Sequence, residues 1–452
     1  MLVLSKIGLD AMPDKPTANA LLKKLQQLHV AKHYAVAVSG GPDSMALLAL
    51  AAQVAKPAAK AENPPRFSVL TVNHGLRPEA KIEAEMVVAA AQKLGLCGVV
   101  LSALPPFPTS GIQNWARQTR YTLMAAWCKK HKADGLLLAH HLDDQAETIL
   151  MRLGHKSGAD GMAGMAEKQK LMTQNGALIL LRPLLAYPRI ALHDLLPATG
   201  FAPIADPAND DVNFERVRWR QRLPELATAG ATPKKLAAMA GQFRALRQQG
   251  DRLAAAWFQH YGTVSDFGYI SVCRKAFVQS DSDLQHRLLR RLVQLLSGRH
   301  YPPPPDSIAL LCHHIMAAEH GAHNLAGCLV RWRHRQIMVG REAASAPAPP
   351  MIAKTDWQNW DGRFDVRLSA KKCSTNDKKN IFVAALGAQG LKLAKKRGAK
   401  PHKSLPASYL HVLPAFFDDS GLRACPALLP KKGFESRLAD NFLQFVAQIA
   451  QD

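Results

Sequence analysis

The chain has 452 residues, enough for two or three domains, and 48% of them are hydrophobic, which excludes a largely disordered protein. A formal charge of +23 and a pI of about 9.9 call for a polyanionic partner without choosing among DNA, RNA and an acidic surface. The 7 cysteines include no Cys-x-x-Cys pair, which excludes a zinc ribbon or iron–sulfur framework and reads as reduced cytosolic thiols. Met1–Gly8 is too short an apolar run for a signal peptide, and no apolar stretch reaches bilayer length, so a soluble, cytoplasmic protein is expected.

In chain order, Leu21, Leu22, Leu25 and Leu28 fall at helical spacing and predict a lead-in helix over 18–29. Val36 and Val38 mark a short buried strand. It runs into Ser39-Gly40-Gly41-Pro42-Asp43-Ser44 and an Ala/Leu-rich helix. A strand–glycine turn–helix joint aims free N–H groups and a positive helix end at one point, a seat for phosphate. The turn lacks the Lys of the common P-loop. It offers the hydroxyls of Ser39 and Ser44 and the carboxylate of Asp43 instead, which suits pyrophosphate accompanied by Mg²⁺.

A strand at 67–72 empties into Asn73-His74-Gly75-Leu76-Arg77, placing His74 and Arg77 at a strand's carboxyl end, where open α/β sheets bind ligands. A helix over 80–94, a strand over 98–101, a helix over 111–131 and a strand over 135–139 follow. Their alternation predicts βαβ units and a parallel sheet. The fourth strand meets His140-His141-Leu142-Asp143-Asp144-Gln145-Ala146-Glu147. Acids in a first helical turn are ordinary dipole partners. Together with histidines at a strand exit, His140, Asp143, Asp144 and Glu147 read as a functional cluster beside the phosphate loop, for metal or substrate. From Leu153 the chain turns glycine-rich and predicts a mobile loop. Residues 179–185 predict a final strand, and 190–200 a short helix stopped by Gly200. Arg216, Arg218, Arg220 and Arg222 crowd around Trp219 and fit a phosphate-gripping segment.

Beyond Pro224 come amphipathic helices at 234–258, 283–296 and 306–319 and a hairpin at 328–340. Cys312, His313, His314, His323 and Cys328 match no common metal spacing. Ala343–Pro350 reads as a stiff linker. Strands at 364–368, 381–385 and 411–413 then predict a small mixed α/β domain bearing the basic run 392–403.

Six of these pieces in series make the chain resemble the bacterial tRNA(Ile)-lysidine synthases, N-type ATP pyrophosphatases of the PP-loop superfamily. They are Ser39–Ser44, Val72–Arg77, Ala139–Thr148, Gly158–Met165, Arg182–Leu185, and Asp206–Asn209 with Arg216–Pro224. Ala208 and Val217 depart from the family's usual Ser and Asn. Likeness past residue 342 rests mainly on Leu413-Pro414 and Cys425-Pro426. The resemblance implies an adenine nucleotide α-hydrolase-like parallel-sheet catalytic domain over 1–224, a mainly helical tRNA-binding domain over 225–342 and a small α/β tRNA-recognition domain over 355–452. It implies ATP and Mg²⁺ as cofactors, and L-lysine and a CAU-anticodon tRNA(Ile) as partners. No membrane is involved, and no protein partner is evident beyond a second copy in a homodimer. In the reaction implied, ATP adenylates the wobble cytidine and lysine then displaces AMP. Residues 39–44 and His74 would bind nucleotide, with Asp43 and Asp143 on metal. Asp43, Arg77, His140, Asp143 and Glu147 would serve catalysis, His140 as proton acceptor. Asp143, Asp144 and Glu147 would hold lysine, and Arg182, Arg216, Arg218 and Arg220 the tRNA.

Overall fold

Tyr34, Ala35 and Val36 alternate in the first strand, and that alternation builds a core on each side of one sheet. Tyr34 and Val36 join Val69 and Leu137 in one core, whereas Ala35 joins Leu70, Leu136 and Leu138 in the other. The computed structural model describes residues 15–56, 65–105, 107–155, 157–173, 176–200, 202, 204, 211–298, 302–347, 350–369, 381–401, 405–440, 442 and 443. The chain divides into two compact units, Met1–Ala245 and Leu246–Asp452.

In the first unit, α1 (Ala18–Leu28), β1 (His33–Ala37), α2 (Pro42–Ala55), β2 (Arg66–Asn73), α3 (Glu79–Lys93), β3 (Cys97–Ser102), α4 (Ile112–His131) and β4 (Gly135–Leu137) follow the predicted order. After them come α5 (Leu142–Gly154), α6 (Ala159–Met162), β5 (Lys168–Thr173), β6 (Gly176–Leu181), α7 (Arg189–His193), a 3-10 turn closed by Gly200 at φ 67°, and α8 (Glu215–Thr228). The sheet order is β3-β2-β1-β4-β6-β5, with all pairs parallel except β5 against β6. Helices α1, α2 and α3 supply the core on one face, and Tyr121, Met124, Ala125 and Cys128 of α4 cover the other. The chain leaves β1 toward β2 and β3, then crosses back to β4. The sheet therefore reverses between β1 and β4, where α/β sheets open a crevice.

Two sequence expectations change here. The antiparallel edge strand β5 was not foreseen, because its alternation is carried by lysines and glutamine. The glycine-rich stretch is a packed joint rather than a loose loop. Met162 and Ala163 are buried, Arg152 donates to the Gly161 carbonyl, and Gln145 bonds both backbone groups of Met165 at 2.7 and 3.0 Å. Gly164 sits at φ 64° against Gln145, where a Cβ would lie 2.8 Å from its Oε1.

Helix α9 (Pro233–Tyr261) runs across the division between units. In the second unit, β7 (Gly262–Val264), β8 (Ile270–Cys273), α10 (Arg274–Gln279), α11 (Ser282–Ser297), α12 (Pro305–Ala317), β9 (Gly321–Leu325), β10 (Cys328–Trp332) and β11 (Gln336–Arg341) pack helices on a five-stranded antiparallel sheet, order β7-β8-β11-β10-β9. Sequence periodicity had shown only its central hairpin. Further on are β12 (Met351–Ile352), β13 (Gln358–Trp360), β14 (Phe364–Leu368), β15 (Phe382–Ala385), α13 (Gly387–Lys396), α14 (Ala407–Leu410), β16 (Pro414–Asp418), β17 (Gly421–Ala424) and β18 (Phe434–Leu438). They form the sheets β12-β15-β16-β17 and β13-β14-β18. The predicted strand at 411–413 begins instead at Pro414. The proline-rich segment after β11 does not separate independent bodies. Tyr409 donates to the Leu329 and Met338 carbonyls at 3.1 and 3.0 Å, over Gly340, where a Cβ would come within 2.7 Å of its ring. No helix among the described residues is long and apolar enough to cross a membrane.

Candidate active site

The turn after β1 and the segment after β4 flank the sheet reversal, and between them opens a cavity of about 500 Å³. The turn sets its floor. Gly40 takes φ 88° with Ile204 packed where a side chain would be, 2.4 Å from a built Cβ. Gly41 caps α2 without a side-chain bond, and Pro42 starts the helix. Ser44 Oγ accepts from Ser39 N at 3.2 Å and donates to the Gly41 carbonyl at 2.9 Å, which locks the loop around its own backbone. The N–H groups at the α2 end are thus presented without a protein acceptor of the capping type, as an anion site requires. His74, Leu76 and Arg77 line the cavity from the β2 exit, and Arg117, Arg120 and Tyr121 from α4. No carboxylate among the described residues pairs with Arg117 or Arg120. Burial and Arg120 push the His74 imidazole down to about 4, so it is neutral at physiological pH.

Asp43 stands at the meeting of four elements. His141 Nε2 lies 3.5 Å from one of its oxygens; His193 Nε2 and Arg189 Nε of α7 lie 3.3 and 3.8 Å from the other. Burial raises the Asp43 carboxyl, but His141, Arg189 and His193 outweigh it and hold it below the ordinary carboxylate range. Asp43 Oδ1, Arg189 Nε and His193 Nε2 are buried with no hydrogen-bond partner. His141 is buried between Asp43, Asp143 and Asp144, and burial, which would lower it, is overcome by these acids, lifting it to about 9. An imidazolium has no lone pair at Nδ1, so the α5 end is then capped by Asp144 Oδ2, which accepts from His141 N at 3.0 Å.

A PP-loop domain model matches residues 14–226. A tRNA(Ile)-lysidine synthase of Ruegeria pomeroyi is 33% identical over 92% of this chain and 93% of its own length. The chain belongs to the tRNA(Ile)-lysidine synthase family. The family's protein from Wolbachia of Brugia malayi is 31% identical over 75% of this chain and 78% of its own. The U34-tRNA thiolase NcsA from Methanococcus maripaludis aligns at a TM-score of 0.42 and 16% identity, over 50% of this chain and 78% of that one, too slight to bear on function.

The remaining sequence candidates of this synthase-family chain fall into two groups. His140, Asp143, Asp144 and Glu147 come together with Asp43 as expected, but they are not vacant. Asp144 Oδ1 accepts from Arg216 at 2.6 Å, and Glu147, 1% exposed, accepts from Arg216 at 2.5 Å and Arg220 at 2.7 Å. Burial opposes the charge of Arg216, yet Asp144 and Glu147 outweigh it and hold the guanidinium protonated. Asp143 Oδ2 accepts from Arg189 N at 2.8 Å. Arg216 and Arg220 thus spend donors on the α5 acids while 39% and 30% of their side chains stay exposed. Arg182 is buried, donating to Ala166 O at 2.7 Å, Gln169 Oε1 at 2.9 Å and His140 Nδ1 at 3.3 Å. That last bond leaves the proton of His140 on Nε2. Burial and the neighbouring Arg182, Arg216 and Arg117 hold His140 well below its usual range, which argues against it as a proton acceptor. Arg218 binds the Val212 and Asn213 carbonyls at the start of α8. Arg77 pairs with Glu83 at 3.1 Å and still lines the cavity. Residues 206–209 lie outside the described residues.

Sequence reasoning missed His141, Arg189 and His193 around Asp43, and Arg117 and Arg120 in the cavity wall. The doubled histidine at 140–141 held the only local signal, and it could not say which ring turns inward. Among the described residues no group of three or more His, Cys, Asp or Glu is placed to cage a metal ion. Mg²⁺ needs no such cage, since it takes one or two carboxylates and completes its shell with phosphate oxygens and water. The unsatisfied Asp43 Oδ1 fits that use; Asp143 has one oxygen already engaged.

Proposed function

We propose that this chain is the ligase that joins free lysine to C2 of the wobble cytidine in a CAU-anticodon isoleucine tRNA, through an adenylated cytidine. The observation that carries the reading is the cavity at the sheet reversal. It places an uncapped helix end and the unsatisfied Asp43 carboxylate together with Asp144 of α5, under a wall of arginines. In the first step the cytidine C2 oxygen attacks the α-phosphorus of ATP and the bond to pyrophosphate breaks. The N–H groups of the 39–44 turn and the α2 dipole receive the charge on the leaving group. Arg77 and Arg120 neutralise the nucleotide phosphates, and neutral His74 contacts the nucleotide. Asp43, with Asp143 as second candidate, would hold Mg²⁺, which supplies charge neutralisation of the phosphates when bound.

In the second step the lysine amine attacks C2 and AMP departs. The α5 acids Asp143, Asp144 and Glu147 hold lysine, whose ammonium competes with Arg216 and Arg220 for the oxygens of Asp144 and Glu147. The amine's proton passes to one of these carboxylates rather than to His140. Arg182 positions His140, and the 225–342 and 355–452 segments together with exposed Arg218 bind tRNA. Incubation with labelled lysine, ATP-Mg²⁺ and this tRNA should give labelled tRNA, with one AMP and one pyrophosphate released per lysine. Folded protein that binds the tRNA and transfers no label overturns the reading.

A further inference from the structure

The cavity mouth carries rings that this reaction scheme does not use. Trp115, in the first turn of α4, lies 6.0 Å from the His74 ring and 5.9 Å from Phe107, which meets it edge-on at 87°. Phe107 keeps 40% of its surface exposed. Gly75 makes the arrangement sterically open. It sits at φ 68°, and a Cβ there would come within 3.0 Å of the Phe107 ring. His74 and Leu76 also line the cavity, so the ring cluster is continuous with the nucleotide site. On the same helix, Arg117 lies over Tyr121 at 5.2 Å, and Arg117 and Arg120 have no carboxylate partner among the described residues. An exposed Phe107 and a half-buried Trp115, next to unpaired guanidinium groups and to a nucleotide cavity, match the chemistry of a single-stranded nucleic acid, with its bases on the rings and its phosphates on the cations.

We propose that Phe107 and Trp115 form a stacking platform for an RNA base adjacent to the cytidine that reacts. The inference rests on the function proposed above. To bring its C2 oxygen into the cavity, the cytidine must leave its own stack, and its neighbour loses a stacking face. The rings at the mouth replace that face, and Arg117 takes the phosphate between the two nucleotides. An adenine of ATP held on the same rings is the competing occupant, and the position at the rim, rather than inside the cavity, favours RNA.

The test is titration of the full-length protein with a CAU anticodon stem-loop, alongside steady-state kinetics in ATP. Phe107→Ala and Trp115→Ala should each weaken stem-loop binding on the order of tenfold, whereas Trp115→Phe should keep most of the affinity. KM for ATP should stay unchanged in all three. A stem-loop abasic at the position flanking the cytidine should bind wild type and the alanine variants alike. Unchanged stem-loop affinity in a Phe107→Ala protein that melts like wild type overturns the platform. So does a penalty that persists with abasic RNA on either side. A raised KM for ATP with RNA binding intact gives the rings to adenine instead. A wild type that binds the stem-loop but transfers no lysine fails the proposed function, while the same titration still decides the platform.

Discussion

Each unit of this chain sets a carboxylate among basic side chains, and the two networks are finished differently. In the second unit Asp361, 3% exposed, accepts from Arg363 Nε at 2.8 Å and lies 2.8 Å from Arg341 Nη2. The other guanidinium donors there go to the carbonyls of Gly268, Val412, Ser297 and Asp361 itself, leaving only Arg341 Nε without a partner. In the first unit, Asp43 keeps 28% of its side chain exposed to the cavity, and Asp43 Oδ1, Arg189 Nε and His193 Nε2 all lack hydrogen bonds. A closed network of this kind fixes the packing of β11, β14 and the 409–412 turn. An open one costs stability at each unsatisfied atom, and it persists where a ligand completes it.

The largest effect that could break this contrast is on chemistry. Asp43→Ala should cut pyrophosphate release by about a thousandfold or more while shifting the melting temperature little, as read by a coupled pyrophosphate assay and calorimetry. Turnover near wild type would remove Asp43 from the mechanism. Asp361→Ala should do the reverse. Two buried guanidinium groups lose their counter-ion, at a cost of roughly 3–5 kcal/mol, so denaturant unfolding should shift strongly while the folded fraction still releases pyrophosphate. A melting curve like wild type would show that the carbonyls suffice. Glu147→Gln tests a residue that belongs to both classes. It should raise KM for lysine about tenfold and also lower stability by about 2 kcal/mol, because Arg216 and Arg220 lose their acceptor charge. An effect on stability alone would make Glu147 a purely structural member.

The fourth test is pH dependence in metal-free buffer. His141 is raised from 6.5 to about 9 in the folded state. Its contribution is therefore fully present below pH 6.5 and is lost as pH rises through about 9, amounting to roughly 3 kcal/mol. Unfolding free energy should fall across that window, and His141→Gln should flatten the fall. An equally steep fall in the variant would assign it to other groups.

What the sequence determined by itself is the order of strand, turn and helix in residues 15–154, and the three exits at 39–44, 73–77 and 140–147. These signals are local: strand alternation, glycine turns and helical spacing each operate over a few residues. Tertiary structure alone decided the partners. Arg216 reaches Glu147 across 69 residues, and Asp43 finds His193 on α7; no periodicity encodes either pairing. Strands β7, β8 and β9 escaped for the same reason, since strands of three to five residues gain their identity from the neighbour they pair with. Arg216 and Arg220 pair with α5 because it offers buried carboxylates, and a buried charge is stable only when another charge meets it.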